Sequence, residues 1–184
     1  MIITDTRVIK RTTAGLERVV PYIIHQGGTS SGKTYGNNYA IISHLLYYKK
    51  DEKLTVSIVA ITFPHLRKGA MRDFINILEK CNLTDKIKHN KSEHTFTFPS
   101  GSIVEFFSVD SYEKALGLRR DILFINECNS IPYDVFFQLS IRTSKTIILD
   151  YNPTSKFWFQ KTLLPSLKPH EYIYTRTTYR DNKA

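Results

Sequence analysis

Short apolar runs alternate along this chain with amphipathic stretches, and that alternation predicts an α/β fold. Residues 22–26, 56–62, 122–126 and 146–150 are each short, apolar or β-branched, and bounded by Gly, Pro, Asn or Asp. Such runs suit strands buried on both faces of a parallel sheet. Between them, residues 33–49, 66–81 and 133–142 read as helices. In the second, Met71, Phe74, Ile75 and Leu78 repeat at the i, i+3, i+4, i+7 spacing of one buried face. The third starts at Pro132, suited to a first helical position, and takes apolar surface from Phe136, Phe137 and Leu139. Residues 94–98 and 103–108 flank Pro99-Ser100-Gly101-Ser102, which predicts a β-hairpin on a four-residue loop. Residues 171–178 alternate like one further strand.

Composition narrows the setting. A chain of 184 residues with 41% hydrophobic content closes one core, so 1–184 reads as a single domain. No run reaches the roughly 20 apolar residues that a membrane span needs, and the first residues lack the apolar centre of a secretion signal. A soluble, intracellular protein with no membrane partner is expected. Cys81 and Cys128 stand far apart and outside any CxxC pair, which argues for free structural thiols over a disulfide or a zinc knuckle. Lys and Arg outnumber Asp and Glu by 26 to 17, giving a formal charge of +9 and favouring a polyanionic partner. The charges are scattered in small groups, so a merely solvated basic surface stays open as the alternative. The chain stops soon after its last predicted strand, as an excised fragment would.

The decisive motif is Gly27-Gly28-Thr29-Ser30-Ser31-Gly32-Lys33-Thr34, a full GxxxxGK[ST] pattern between a predicted strand and a predicted helix. In that context consecutive backbone N–H groups and the helix N-terminus point at a phosphate chain. The glycines let the backbone approach, Lys33 sets a positive charge against the β and γ oxygens, and the Thr34 hydroxyl reaches magnesium. ATP and Mg²⁺ are the expected cofactors.

The run Ile122-Leu123-Phe124-Ile125 ends in Asn126-Glu127, where P-loop ATPases with an additional strand place an acidic pair. Glu127 suits the water-polarising role, delivered to the carboxyl edge of the sheet where open α/β sheets bind ligands. Asn126 departs from the pattern: its amide can bond a metal-bound water but brings no charge. Asp121 is expected to precede the strand, about 16 Å from Asn126 at extended rise, too far to replace the missing acid. Asp150, at the end of the next predicted strand, could restore the charge or could initiate the turn before Asn152-Pro153. Asn152 reads equally as a sensor of the γ-phosphate and as the Asn of an Asn-Pro turn.

Taken together, GGTSSGKT, ILFINEC and ILDYNPT resemble the Walker A, Walker B and coupling motifs of tailed-phage terminase large subunits, and residues 177–182 resemble that family's link to its nuclease domain. The resemblance spans residues 22–182 and implies a RecA-like P-loop NTPase of the additional-strand type, with a central, mostly parallel sheet, flanking helices and an added hairpin. It implies an ATP-driven ring of subunits in the host cytoplasm that threads double-stranded DNA through a portal protein, working with a small terminase subunit. It also implies a C-terminal nuclease for which this chain has no residues left. Carried onto this sequence, the family motifs give Gly28, Ser31, Gly32, Lys33 and Thr34 as phosphate and metal contacts, Glu127 as catalytic base and Asn152 as the coupling residue. Such motors complete their site with an arginine; Arg119 or Arg120 could supply it to a neighbouring subunit, or be a solvated charge.

Three other readings compete. A helicase or recombinase core would share Lys33 and Glu127 but use the coupling strand differently. A nucleotide or small-molecule kinase would not need a water-activating glutamate. A binding module without turnover has Asn126 as its only hint.

Overall fold

The computed structural model describes residues 7–28, 31–110, 118–178 and 180. After α1 (Arg7–Glu17) come β1 (Tyr22–Gly27), α2 (Lys33–Ser43) and β2 (Thr55–Ala60). Next, α3 (Phe63–Leu66), a π-helical turn (Arg67–Met71) and α4 (Arg72–Lys80) run on as one helical segment. The meander β3 (Lys88–Asn90), β4 (Thr95–Thr97) and β5 (Ile103–Ser108) follows, then β6 (Arg120–Ile125), α5 (Tyr133–Ser140) and β7 (Thr143–Tyr151). A π-helical turn (Phe159–Leu163) leads through α6 (Leu164–Ser166) to β8 (Tyr172–Thr177).

All eight strands join one sheet in the order β3-β4-β5-β2-β6-β7-β1-β8. The pairings β5 to β2 to β6 to β7 to β1 to β8 are parallel, and only the β3-β4-β5 meander is antiparallel. The expected hairpin therefore extends the main sheet. Its loop closes by Phe98 N–H to Ser102 O and Gly101 N–H to Phe98 O, with Gly101 at φ 82°, a left-handed conformation that suits a residue without Cβ. Strand β7 lies between β1 and β6.

Alternation along the buried strands sends successive side chains to opposite faces. Ile23, Val56, Ile58, Phe124 and Ile148 join α2 and α4 in one core; Ile24, Val59, Leu123, Ile125 and Leu149 join α5 and Phe159 in the other. Phe74 of α4 packs on Phe96 and Phe106 with ring centroids 4.9 and 5.3 Å away, tying the helix to β4 and β5. Burial of a side chain of that size stabilises by roughly 1.5–3 kcal/mol.

Several boundaries differ from expectation. The helix expected over 33–49 turns π-helical at His44–Tyr48. The one expected over 66–81 begins earlier, where Thr62 caps it by accepting from His65 N–H at 3.4 Å. β6 begins before residue 122 and contains Asp121, whose carboxylate accepts from Thr55 N–H and the Ser144 hydroxyl near the amino end of the strand. Among the described residues no helix is long and apolar enough to cross a membrane.

One buried polar chain makes stability depend on pH. His25 of β1 is fully buried, with Nε2 at 2.8 Å from the Thr12 hydroxyl, which itself donates to Asn37 Oδ1. The hydroxyl proton is thereby spent, so we assign Nε2 as the donor and Nδ1 as the bare nitrogen. Burial, then the nearby Lys33 charge, lowers the His25 pKa to about 3. A depressed histidine binds fewer protons when folded, so its contribution is full above pH 6.5 and falls away as pH drops toward 3. His25→Gln should flatten that loss by about 1.4 kcal/mol per pH unit at its steepest. Urea unfolding of both proteins between about pH 7 and 4 measures it, and equal slopes would refute the assignment.

Candidate functional site

At the carboxyl edge of β1, β6 and β7 the sequence motifs converge. Strand β1 ends in Gly27, where a Cβ would lie 2.5 Å from the Thr177 hydroxyl and 2.7 Å from that of Ser31. Only glycine lets β8 and the loop close this tightly. Gly32 caps α2 at φ 74°, and that turn starts the helix at Lys33. Thr29 and Ser30 lie outside the described residues.

Lys33 is 8% exposed, and its ammonium is turned back onto the loop. It donates to Gly27 O at 2.7 Å, Gly28 O at 3.0 Å, the Ser31 hydroxyl at 3.1 Å and Asn152 Oδ1 at 3.1 Å. Burial lowers its pKa, and the charges of Asp150 and Glu127 oppose that shift. Asn152, just beyond β7, thus touches the loop lysine directly.

Asp150 is 1% exposed, and its carboxylate reaches across to its neighbours. It accepts from Glu127 N–H at 2.7 Å, from Asn126 Nδ2 at 3.1 and 3.2 Å, and from the Thr34 hydroxyl at 3.1 Å. The register explains the meeting: Ile125 pairs with Leu149, so Asn126 and Asp150 follow side by side. Burial raises the Asp150 pKa to about 6 against these donors and the Lys33 charge. No hydrogen bond from its own turn supports the turn-initiating role among the described residues.

Glu127 has φ 54° and ψ 53°, a left-handed conformation rare for a residue with a Cβ. The bond from its N–H to Asp150 fixes that turn, and its side chain, 39% exposed, points outward. Glu127 Oε2 lies 3.2 Å from His65 Nε2 on α3. Sequence reading missed His65. Its only signal was the position of Thr62-Phe63-Pro64-His65 after β2, the strand beside β6.

The two candidate arginines part company. Arg119 is exposed, whereas Arg120 is 2% exposed at the amino end of β6, donating to Leu118 O and lying over the Phe107 ring at 5.6 Å. Arg120 is thus buried against its own chain, which corrects the solvated charge expected as its alternative, while Arg119 stays at the surface. Residues 181–184, which include part of the expected link to a nuclease, lie outside the described residues. The thiols of Cys81 and Cys128 are free, and burial raises the pKa of Cys128 well above the ordinary thiol value.

Among the described residues no three His, Cys, Asp or Glu gather as a metal cluster. Magnesium at a phosphate chain needs fewer: one or two carboxylates, a hydroxyl, phosphate oxygens and waters. Asp150, Asn126 and Thr34 meet that need, and Lys33 and the loop fit a phosphate chain.

A search of curated protein sequences finds no match. Among solved structures, the large terminase of a thermophilic bacteriophage matches with TM-score 0.78 and 16% identity, over 96% of this chain and 46% of that one. The same phage protein in complex with ATP-gamma-S matches with TM-score 0.73 and 18% identity, over 97% of this chain and 46% of that one. The large terminase ATPase domain of Thermus phage P74-26 matches with TM-score 0.63 and 14% identity, over 90% of this chain and 79% of that one. At these identities the likeness is one of fold, and this chain spans under half the length of the first of these terminases. The family model described as phage terminase large subunit matches residues 20–183, so the chain belongs to the phage terminase large subunit family.

Proposed function

We propose that this domain hydrolyses ATP with Mg²⁺ and that the hydrolysis drives double-stranded DNA into a phage head, within a ring of such subunits in the host cytoplasm. A portal protein and a small terminase subunit are the partners this reading implies. The observation that carries it is the convergence of Lys33, Thr34, Asp150, Glu127 and Asn152 at one sheet edge in a chain of this family. The ATP-gamma-S complex of the thermophilic phage terminase supports the nucleotide.

The residues divide the work. Gly27, Gly28, Thr29, Ser30, Ser31 and Gly32 cradle the phosphates with backbone N–H groups. Lys33 exchanges its loop and Asn152 acceptors for β and γ oxygens, where its charge offsets that developing on phosphate. Thr34 and Asp150 would hold the metal shell with Asn126 beside them; magnesium, when bound, neutralises and orients the phosphate oxygens. Glu127 takes a proton from the attacking water, and His65 steadies the Oε2 edge of that carboxylate. Asn152, released by Lys33, then bonds the γ-phosphate or the water, which links nucleotide state to the turn after β7. Arg119 remains the candidate for a neighbour's site.

Phosphate release from ATP, with and without linear duplex DNA, tests this reading. Turnover that rises with duplex is expected. Absence of turnover under both conditions would leave a binding module, and transfer to a small acceptor would point to a kinase.

A further inference from the structure

A cleft of about 580 Å³, lined by none of the motif residues, opens between the helical segment after β2 and the β3-β4 hairpin. Arg67, Met71, Arg72, Ile75 and Asn76 line one wall, and His89, Lys91 and His94 line the other. The helical positions fall at i, i+4, i+5, i+8 and i+9, one face of a helix. Aromatic contacts hold the opposite wall: His89 stacks on Phe96 at 4.1 Å and His94 packs on Phe63 at 4.2 Å.

The floor is apolar and the rim is cationic. Arg67, Arg72 and Lys91 are exposed. Of the nearby acids, Asp73 pairs with Arg72, and Glu93 bonds Asn90. Arg67 and Lys91 have no ion pair among the described residues, and His89 Nε2, buried, has no hydrogen-bond partner there. The His89 ring itself senses the positive surroundings, since Lys91 and His94 add to burial in lowering its pKa. Unsatisfied cations facing each other across a cleft repel, and an anion bridging them removes that cost. A groove open at the surface with a formal +9 on the chain suits a chain of phosphates better than a single enclosed one.

We infer that this cleft holds the phosphodiester backbone of duplex DNA, with Arg67 and Lys91 on phosphates from opposite walls. The inference rests on the DNA-packaging reading and names the surface that would track the duplex. Such contacts carry no base preference. None of the residues lining it belongs to the nucleotide motifs, so a mononucleotide should not compete for it.

Fluorescence anisotropy with a labelled duplex of about 30 base pairs tests the inference on the full chain, over roughly 50–200 mM salt. Arg67→Ala with Lys91→Ala should weaken duplex binding about five- to tenfold and lower the slope of log affinity against log salt by about 2. Affinity for a fluorescent ATP analogue and the unfolding midpoint should stay unchanged. Lys50→Ala with Lys53→Ala removes equal charge elsewhere and should cost less than about twofold. Equal losses in both double variants would mean general surface charge and overturn the cleft. Displacement of duplex by excess ATP would also overturn it, making the cleft a nucleotide subsite. If the unmodified chain binds no duplex at any of these salts, the packaging reading itself fails.

Discussion

Glu127→Gln should lower ATP turnover by about 10²–10⁴-fold and leave nucleotide affinity within about threefold, since only proton removal from water is lost. Lys33→Ala, measured beside it, should lose both. The contrast follows from where the two side chains sit. Lys33 is buried against the loop that would carry the phosphates, and every acceptor of its ammonium belongs to that loop or to Asn152. Its removal takes a charge from bound and transition states alike. Glu127 is half-exposed and faces His65, and only its backbone N–H joins the buried Asp150 network. Glutamine keeps that backbone bond and the side-chain shape. Single-turnover phosphate release paired with titration of a fluorescent ATP analogue separates the two effects. Loss of nucleotide affinity in Glu127→Gln would make this residue a structural or metal group, and near-native turnover in Lys33→Ala would remove the phosphate cradle.

Much of this site was legible in sequence because its parts are local. A strand, a glycine-rich turn and a helix lie in one continuous stretch, and the physics of phosphate binding fixes the residue types within it. The four buried strands announced themselves by apolar runs, and the Pro99 to Ser102 loop announced its hairpin. What escaped has common causes. Helix α1 buries Thr12 and Gly15 among Val8, Ile9 and Leu16, so polar and small residues mask the apolar period. Gly15 lies so close to β1 that a Cβ would meet Ile23 Cδ1 at 2.5 Å, a contact invisible in the α1 sequence. Strand β3 is Lys88-His89-Asn90, with no apolar residue to mark it, and it forms only because β4 offers an edge. Two of the π-helical turns interrupt the expected helical runs, one of them at Gly69, a poor helix former. His65 and Glu127 stand 62 positions apart, and only the β2-β6 adjacency brings their loops together. Arg120 was misplaced because a charge next to a strand reads as solvated, while the packing buries it over Phe107.

Asp150→Asn should raise the magnesium concentration for half-maximal turnover by about 10- to 100-fold, the usual cost of removing a group that supports a bound metal. The reasoning starts from Asn126, which supplies an amide where a carboxylate is expected and donates Nδ2–H to both oxygens of Asp150. The Thr34 hydroxyl donates to the same carboxylate. One negative charge therefore serves the whole corner, moved from the end of β6 to the adjoining end of β7. That arrangement makes a reciprocal exchange informative. In Asn126→Asp with Asp150→Asn the charge returns to β6 and the amide takes its place on β7, and the magnesium requirement should fall back to within a few fold of the starting protein. Asparagine keeps only one acceptor oxygen and turns an NH2 toward donors that now share the two Asp150 oxygens, which also costs stability, about 1–3 kcal/mol, so turnover alone would be ambiguous. The magnesium dependence of binding a fluorescent ATP analogue gives the second readout. A carboxylate that only holds the turn of Glu127 would lower the unfolding midpoint, leave both magnesium curves in place and gain nothing from the exchange, and that outcome would defeat the relocation of the charge.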